Sequence, residues 1–101
     1  MSSVLADLLK SFQSLLAVSR QEDEKYLVTG LSQCCEIIDA IQKNDLGYDD
    51  GLKLLKSEFH SMLTPHAGLS ELFVWSDDAK ERARINTEIS AHLDYLWKVL
   101  R

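Results

Sequence analysis

EDEKYLVTGLSQCCEIIDAIQK, residues 22–43, is the stretch whose reading decides the fold. Leu27, Leu31, Cys34, Ile38 and Ile41 recur in it at alternating spacings of four and three. That is the period of an α-helix presenting one apolar seam. Two heptads are too few for an extended coiled coil, so the seam calls for partner helices within a bundle. Gly30 lies inside this helix, at a cost of up to ~1 kcal/mol relative to alanine. It marks either a close helix crossing or a tolerated defect.

The partners are visible on both sides. Upstream, Leu5, Leu8, Leu9, Phe12, Leu15 and Leu16 repeat at helical spacing, which predicts a helix over Ser3–Arg20 with Ser2 or Ser3 as its cap. Gln21-Glu22-Asp23-Glu24 reads as a turn or as the acidic first turn of the next helix. Downstream, Asn44–Gly51 holds two glycines and three acids and reads as a loop, with Asp49 or Asp50 capping a third helix over Asp50–Leu63. Leu52, Leu55, Phe59, Met62 and Leu63 share a face of that helix, and Pro65 is expected to end it. A short helical turn is predicted around Ser70–Val74, then a long final helix with Ser76 as N-cap. Ile85, Ile89, Leu93, Leu96 and Leu100 form its stripe, with Trp97 beside them. No run alternates at the two-residue period of a half-buried strand. The expected fold is all-α, a compact and mostly antiparallel bundle of about four helices, with residues 1–101 as a single helical domain.

The chain has 101 residues, 46% of them apolar and 27% charged, which suits one soluble domain with one modest core. Its apolar runs are too short for a membrane span. Asp7 interrupts the place where a signal peptide would be apolar, so the expected location is the cytoplasm. Cys34 and Cys35 are adjacent and diverge by roughly 100° on a helix, so they are read as two free thiols in a reducing compartment.

The net charge of −5 is unevenly spread. Residues 21–50 carry eight acids against Lys25 and Lys43, a net of −6, while the rest of the chain sums to +1. This disfavours nucleic acid, which needs a basic footprint, and suits a basic protein. Glu36, Asp39, Asp45, Tyr48, Asp49 and Asp50 form the candidate docking patch, with Tyr48 an aromatic anchor among carboxylates. The bland alternative is a solvated loop with a helix cap.

Asp78, Arg82 and Asn86 are spaced four apart and lie in line with Ile89 and Leu93, so polar groups continue an apolar row. One reading is structural: an Asp78–Arg82 ion pair, Asn86 tying down the preceding loop, and Trp75 packed against the helix start. The other is recognition through Trp75, Arg82 and Asn86, since Trp and Arg dominate interface energetics. His60, His66 and His92 form no HExxH pattern or set of three ligands, so no metal and no cofactor are expected.

Pro65, Gly68-Leu69-Ser70, Trp75, Asp77-Asp78, Arg82 and Asn86 together resemble a pattern in small helical bacterial proteins, Pro…Gly-Leu-Ser…Trp-x-Asp-Asp…Arg…Asn. Those proteins often carry Arg-Gly-Gly after the proline, where this chain has His66-Ala67-Gly68. Small acidic helical proteins of this kind are similar to immunity proteins encoded beside bacterial toxins, a resemblance by association. It implies a non-catalytic protein-binding module that occludes the active cleft of a basic toxin, such as a nuclease. Two rivals stand beside it: a small metal- or cofactor-dependent enzyme using His60, His66 or His92, and a self-assembling helical module.

Overall fold

A computed structural model describes residues 3–63 and 68–101. The order of elements is α1 (Ser3–Gln21), α2 (Lys25–Gln42), α3 (Tyr48–Ser61), a 3-10 turn (Leu69–Glu71) and α4 (Ala79–Val99). The all-α bundle expected from apolar periodicity is what forms.

Two left-handed residues set the first two connections. Asp23 takes φ 56°, and the next amide, of Glu24, donates to Ser19 O at 2.9 Å. Asn44 takes φ 63°, and the Asp45 and Leu46 amides both donate to Ala40 O. Asp and Asn visit this region more cheaply than other side chains because they bond locally. The acids at 22–24 are therefore a turn, and α2 begins at Lys25. The expected caps of α3 are corrected: Gly47 is its N-cap residue, without a side-chain bond, and Asp49 and Asp50 lie in the first turn. Pro65 and His66 lie outside the described residues, and α3 ends at Ser61.

α2 buries Leu27, Leu31, Cys34, Ile38 and Ile41, the whole predicted seam. Its neighbours are α1 on one side and α3 on the other. Gly30 faces the buried Met62, whose Sδ would stand 2.5 Å from an added Cβ, so this glycine permits a close crossing. Gly51 faces the Ile41 side chain in the same manner at the other end of the α2–α3 pair. Phe12 of α1 meets Phe59 of α3 edge-on, with centroids 6.3 Å apart, which closes the core across α2.

α4 runs antiparallel to α1. His92 Nδ1 lies 3.1 Å from Ser11 Oγ, and Ile85 and Ile89 lie beside Leu15 and Val18. Only Ile89, Leu96 and the following Leu100 are buried, and Ile85 and Leu93 are half-exposed. At the far end, His60 Nε2–H of α3 donates to Leu100 O at 2.7 Å. That bond satisfies a carbonyl that the end of a helix leaves without an intrahelical partner.

Candidate functional site

Between the 3-10 turn and α4 the chain does something no helix can do. Leu69 is buried and its amide donates to Met62 O at 2.7 Å, which anchors the segment on the end of α3. Leu72 is extended (φ −61°, ψ 122°), and exposure alternates from Phe73 to Trp75 as it does along extended chain. Successive side chains then point to opposite sides. Val74 points inward at 4% exposure, while Phe73 and Trp75 point outward at 56% and 66%.

Asn86 holds this segment in place. Its Oδ1 accepts from Val74 N–H at 2.8 Å, and its Nδ2–H donates to Val74 O at 2.8 Å. The side-chain amide thus bonds one residue's backbone twice, as a neighbouring strand would. Nδ2 also donates to Arg82 O at 2.8 Å, which fixes the amide along the helix. Arg82 supports the outer layer. Its Nη1–H donates to Ser76 O at 2.9 Å, and its guanidinium lies 4.3 Å from the centre of the Trp75 ring. A cation against an indole face gains about 0.5–1 kcal/mol at a half-exposed site.

Three sequence expectations are corrected here. Asp78 does not pair with Arg82. Its carboxylate accepts from the Lys80 and Glu81 amides and is the N-cap of α4, the role assigned to Ser76. Ser76 is the hub instead, accepting the Asp78 amide on Oγ at 3.3 Å and Arg82 on its carbonyl. Trp75, expected to be packed down, is covered on one face by Arg82 and otherwise open.

The acidic candidates lie elsewhere. Glu36 and Asp39 are on the later turns of α2, Asp45 is in the connection, and Tyr48, Asp49 and Asp50 begin α3. All six are exposed. Asp39 pairs with Lys43 at 2.9 Å on the open surface, a contact of small energy. The aromatic segment passes the opposite end of α2, where Glu24 and Leu27 share a hollow of about 210 Å³ with Gly68, Glu71, Leu72 and Phe73. An 18-residue helix is about 27 Å long, so the two candidate regions are separate surfaces.

Sequence reasoning missed Phe73 and Val74. Leu72-Phe73-Val74-Trp75 is apolar throughout, so its inward and outward residues cannot be told apart by pattern. It also missed a cleft of about 370 Å³ between α3 and α4, lined by Phe59, Leu63, Leu93 and Trp97 with Ser70, Ser90 and Asp94. The cleft lies beside an edge-on contact of the His60 and Trp97 rings, with centroids 5.5 Å apart.

His60 and His92 stand on different helices with different partners, Leu100 O and Ser11 Oγ. Among the described residues no three His, Cys, Asp or Glu side chains are grouped to share a metal ion. Both cysteines are free thiols. Burial, then the nearby Glu58 and Cys35, push the Cys34 thiol up to about 12, and burial also raises Cys35. No helix among the described residues is long and apolar enough to cross a membrane.

Comparison with protein-family models, with curated proteins and with solved structures gives no match.

Proposed function

We propose that this protein is a non-catalytic protein-binding module whose main contact is the Phe73–Trp75 ridge buttressed by Arg82 and Asn86. One observation carries the reading: two large aromatic side chains stand mostly exposed on a segment that three side-chain hydrogen bonds tie to α4. Exposing them costs hydrophobic free energy that burial against a partner returns, about 25 cal/mol per Å² of apolar area. Because the segment is already ordered, little conformational entropy is lost on binding. Trp, Arg and their aromatic neighbours are the residues on which interface energies concentrate.

The charge distribution indicates the kind of partner. A net −6 over residues 21–50 favours encounter with a basic protein. In its specific form, the proposal is an inhibitor of the bacterial immunity kind that covers the cleft of a basic toxin. Glu36, Asp39, Asp45, Asp49 and Asp50 would then steer the approach, with Tyr48 as an aromatic anchor among them.

The test is a paired pull-down and titration. Phe73→Ala/Trp75→Ala should melt within a few degrees of the parent, since both side chains are mostly exposed, yet lose the basic partner that the parent retains. A double variant that binds that partner with unchanged affinity would sink the proposal.

A further inference from the structure

The aromatic segment is more than two exposed rings, because its backbone is half-used. In extended chain, the N–H and C=O of one residue point to one edge and those of the next residue to the other. Asn86 occupies the edge of Val74 completely. The N–H and C=O of Phe73 and of Trp75 therefore point to the opposite edge. None of those four groups has a hydrogen-bond partner among the described residues. A row of unpaired donors and acceptors on an extended segment is a template for another chain.

We infer that the free edge of Phe73–Trp75 receives an extended, basic segment of a partner protein, paired antiparallel through the main chain. This rests on the reading of the ridge as a protein contact and names its mode of recognition. The antiparallel arrangement lets Phe73 and Trp75 each exchange both of their backbone groups with one residue opposite. The exposed rings then flank alternate side chains of the incoming segment, so hydrogen bonds supply affinity and side chains supply choice, as in other strand-addition complexes. Asn86 acts as the neighbour on the inner side, keeping the accepting segment straight without any sheet.

Charge selects the occupant. The hollow beside Phe73 carries Glu24, and Glu22 and Asp23 lie in the adjoining turn. Asp77 follows the other end of the segment. Lysine or arginine on the incoming segment meets these carboxylates. A second copy of the chain does not fit, because it would bring the same acids against one another.

The probe is a short acetylated and amidated peptide alternating Lys with Val, titrated into the whole protein with backbone amide NMR as readout. The expected result is saturable shifts at the Phe73 and Trp75 amides, with slowed hydrogen exchange at both. N-methylation of alternate peptide amides should weaken binding by about tenfold or more, the effect of losing two main-chain bonds. A Glu–Val peptide of equal length should not shift either amide. No shifts from the Lys–Val peptide at ~2 mM, where a Kd of ~1 mM is readily seen, overturns the inference. So does equal affinity of the N-methylated peptide.

The Phe73→Ala/Trp75→Ala variant separates the two readings. If it loses the protein partner while the N-methylated peptide binds the parent normally, the protein-binding function stands and strand addition fails. If the partner is retained, the function itself fails.

Discussion

The two ends of α2 present opposite kinds of surface. At its C-terminal end, six exposed residues ride on a helix end, a left-handed connection and a helix start, and their side chains make one exposed ion pair. At its N-terminal end, Val74, Trp75, Ser76, Arg82 and Asn86 are joined by four hydrogen bonds and a cation–ring contact, beside the exposed Phe73. The first surface acts at a distance through charge, and its field fades within about 8 Å in physiological salt. The second acts only on contact but arrives already shaped. The loop acids thus steer from one end of the helix and the ridge grips at the other, where Glu22, Asp23 and Glu24 add charge beside it.

Removing the clamp should produce the largest effect. Asn86→Ala leaves the N–H and C=O of Val74 without partners at a half-buried site, and stability should fall by about 2–3 kcal/mol. Urea unfolding measures this directly. A loss below ~0.5 kcal/mol would mean that the segment holds its shape without the amide, and the contrast between the two ends would collapse.

At the acidic end the corresponding sensitivity should lie beneath the charges. Gly51→Ala places a methyl against the Ile41 side chain, and overpacking should outweigh the gain in helix propensity by about 1–2 kcal/mol. Thermal melts of this variant and of an Asp49→Asn control tell packing from charge; equal destabilisation would contradict the assignment.

Arg82→Ala removes one bond to Ser76 O and the cover on Trp75, without stranding a carboxylate, because Asp78 is engaged as a cap. About 1 kcal/mol should be lost. Tryptophan fluorescence should report a more mobile Trp75, and an unchanged spectrum would show that the stacking does not persist in solution.

Neutralising Asp45, Asp49 and Asp50 together as Asn should cost under ~1 kcal/mol, mostly from the helix dipole at the start of α3. Its signature is kinetic. Association with the basic partner should slow and lose salt dependence, while dissociation stays the same. Stopped-flow rates at two salt concentrations decide it, and unchanged rates at both would leave these acids merely solvated.

Midway along α2, Cys34 should do nothing at neutral pH. Its thiol is raised in the fold from the usual value near 9 to about 12, so the folded protein keeps a proton that the unfolded chain releases. Stability is therefore complete below pH ~9 and should decline as pH rises through the window toward 12. Alkylation at neutral pH should label Cys35 before Cys34, which is fully buried. Faster labelling of Cys34 would place that thiol outside the core.

How far the sequence reached differs between these regions. Leu27, Leu31, Cys34, Ile38 and Ile41 were readable because a helical period survives in the one-dimensional text and each is in fact buried. The row of Asp78, Arg82 and Asn86, spaced four apart, was readable for the same reason, as a face of one helix. Their partners were not. Asp78 and Arg82 look like an ion pair by spacing, yet the amides at a helix start offer a carboxylate better bonds than a half-exposed guanidinium does. Gly30 offered two readings, and only the position of Met62 chose between them.

The sequence by itself determined the four main helices, most of their buried faces and the concentration of negative charge, since each depends on residues close together in the chain. Tertiary structure decided that Phe73 and Trp75 face outward, that Asn86 serves as a surrogate strand, and that the acidic and aromatic surfaces stand at opposite ends of α2. Those outcomes depend on where an extended segment meets a helix begun several residues later. Hydrogen bonding between Val74 and Asn86 links positions 12 apart, and no local period records it.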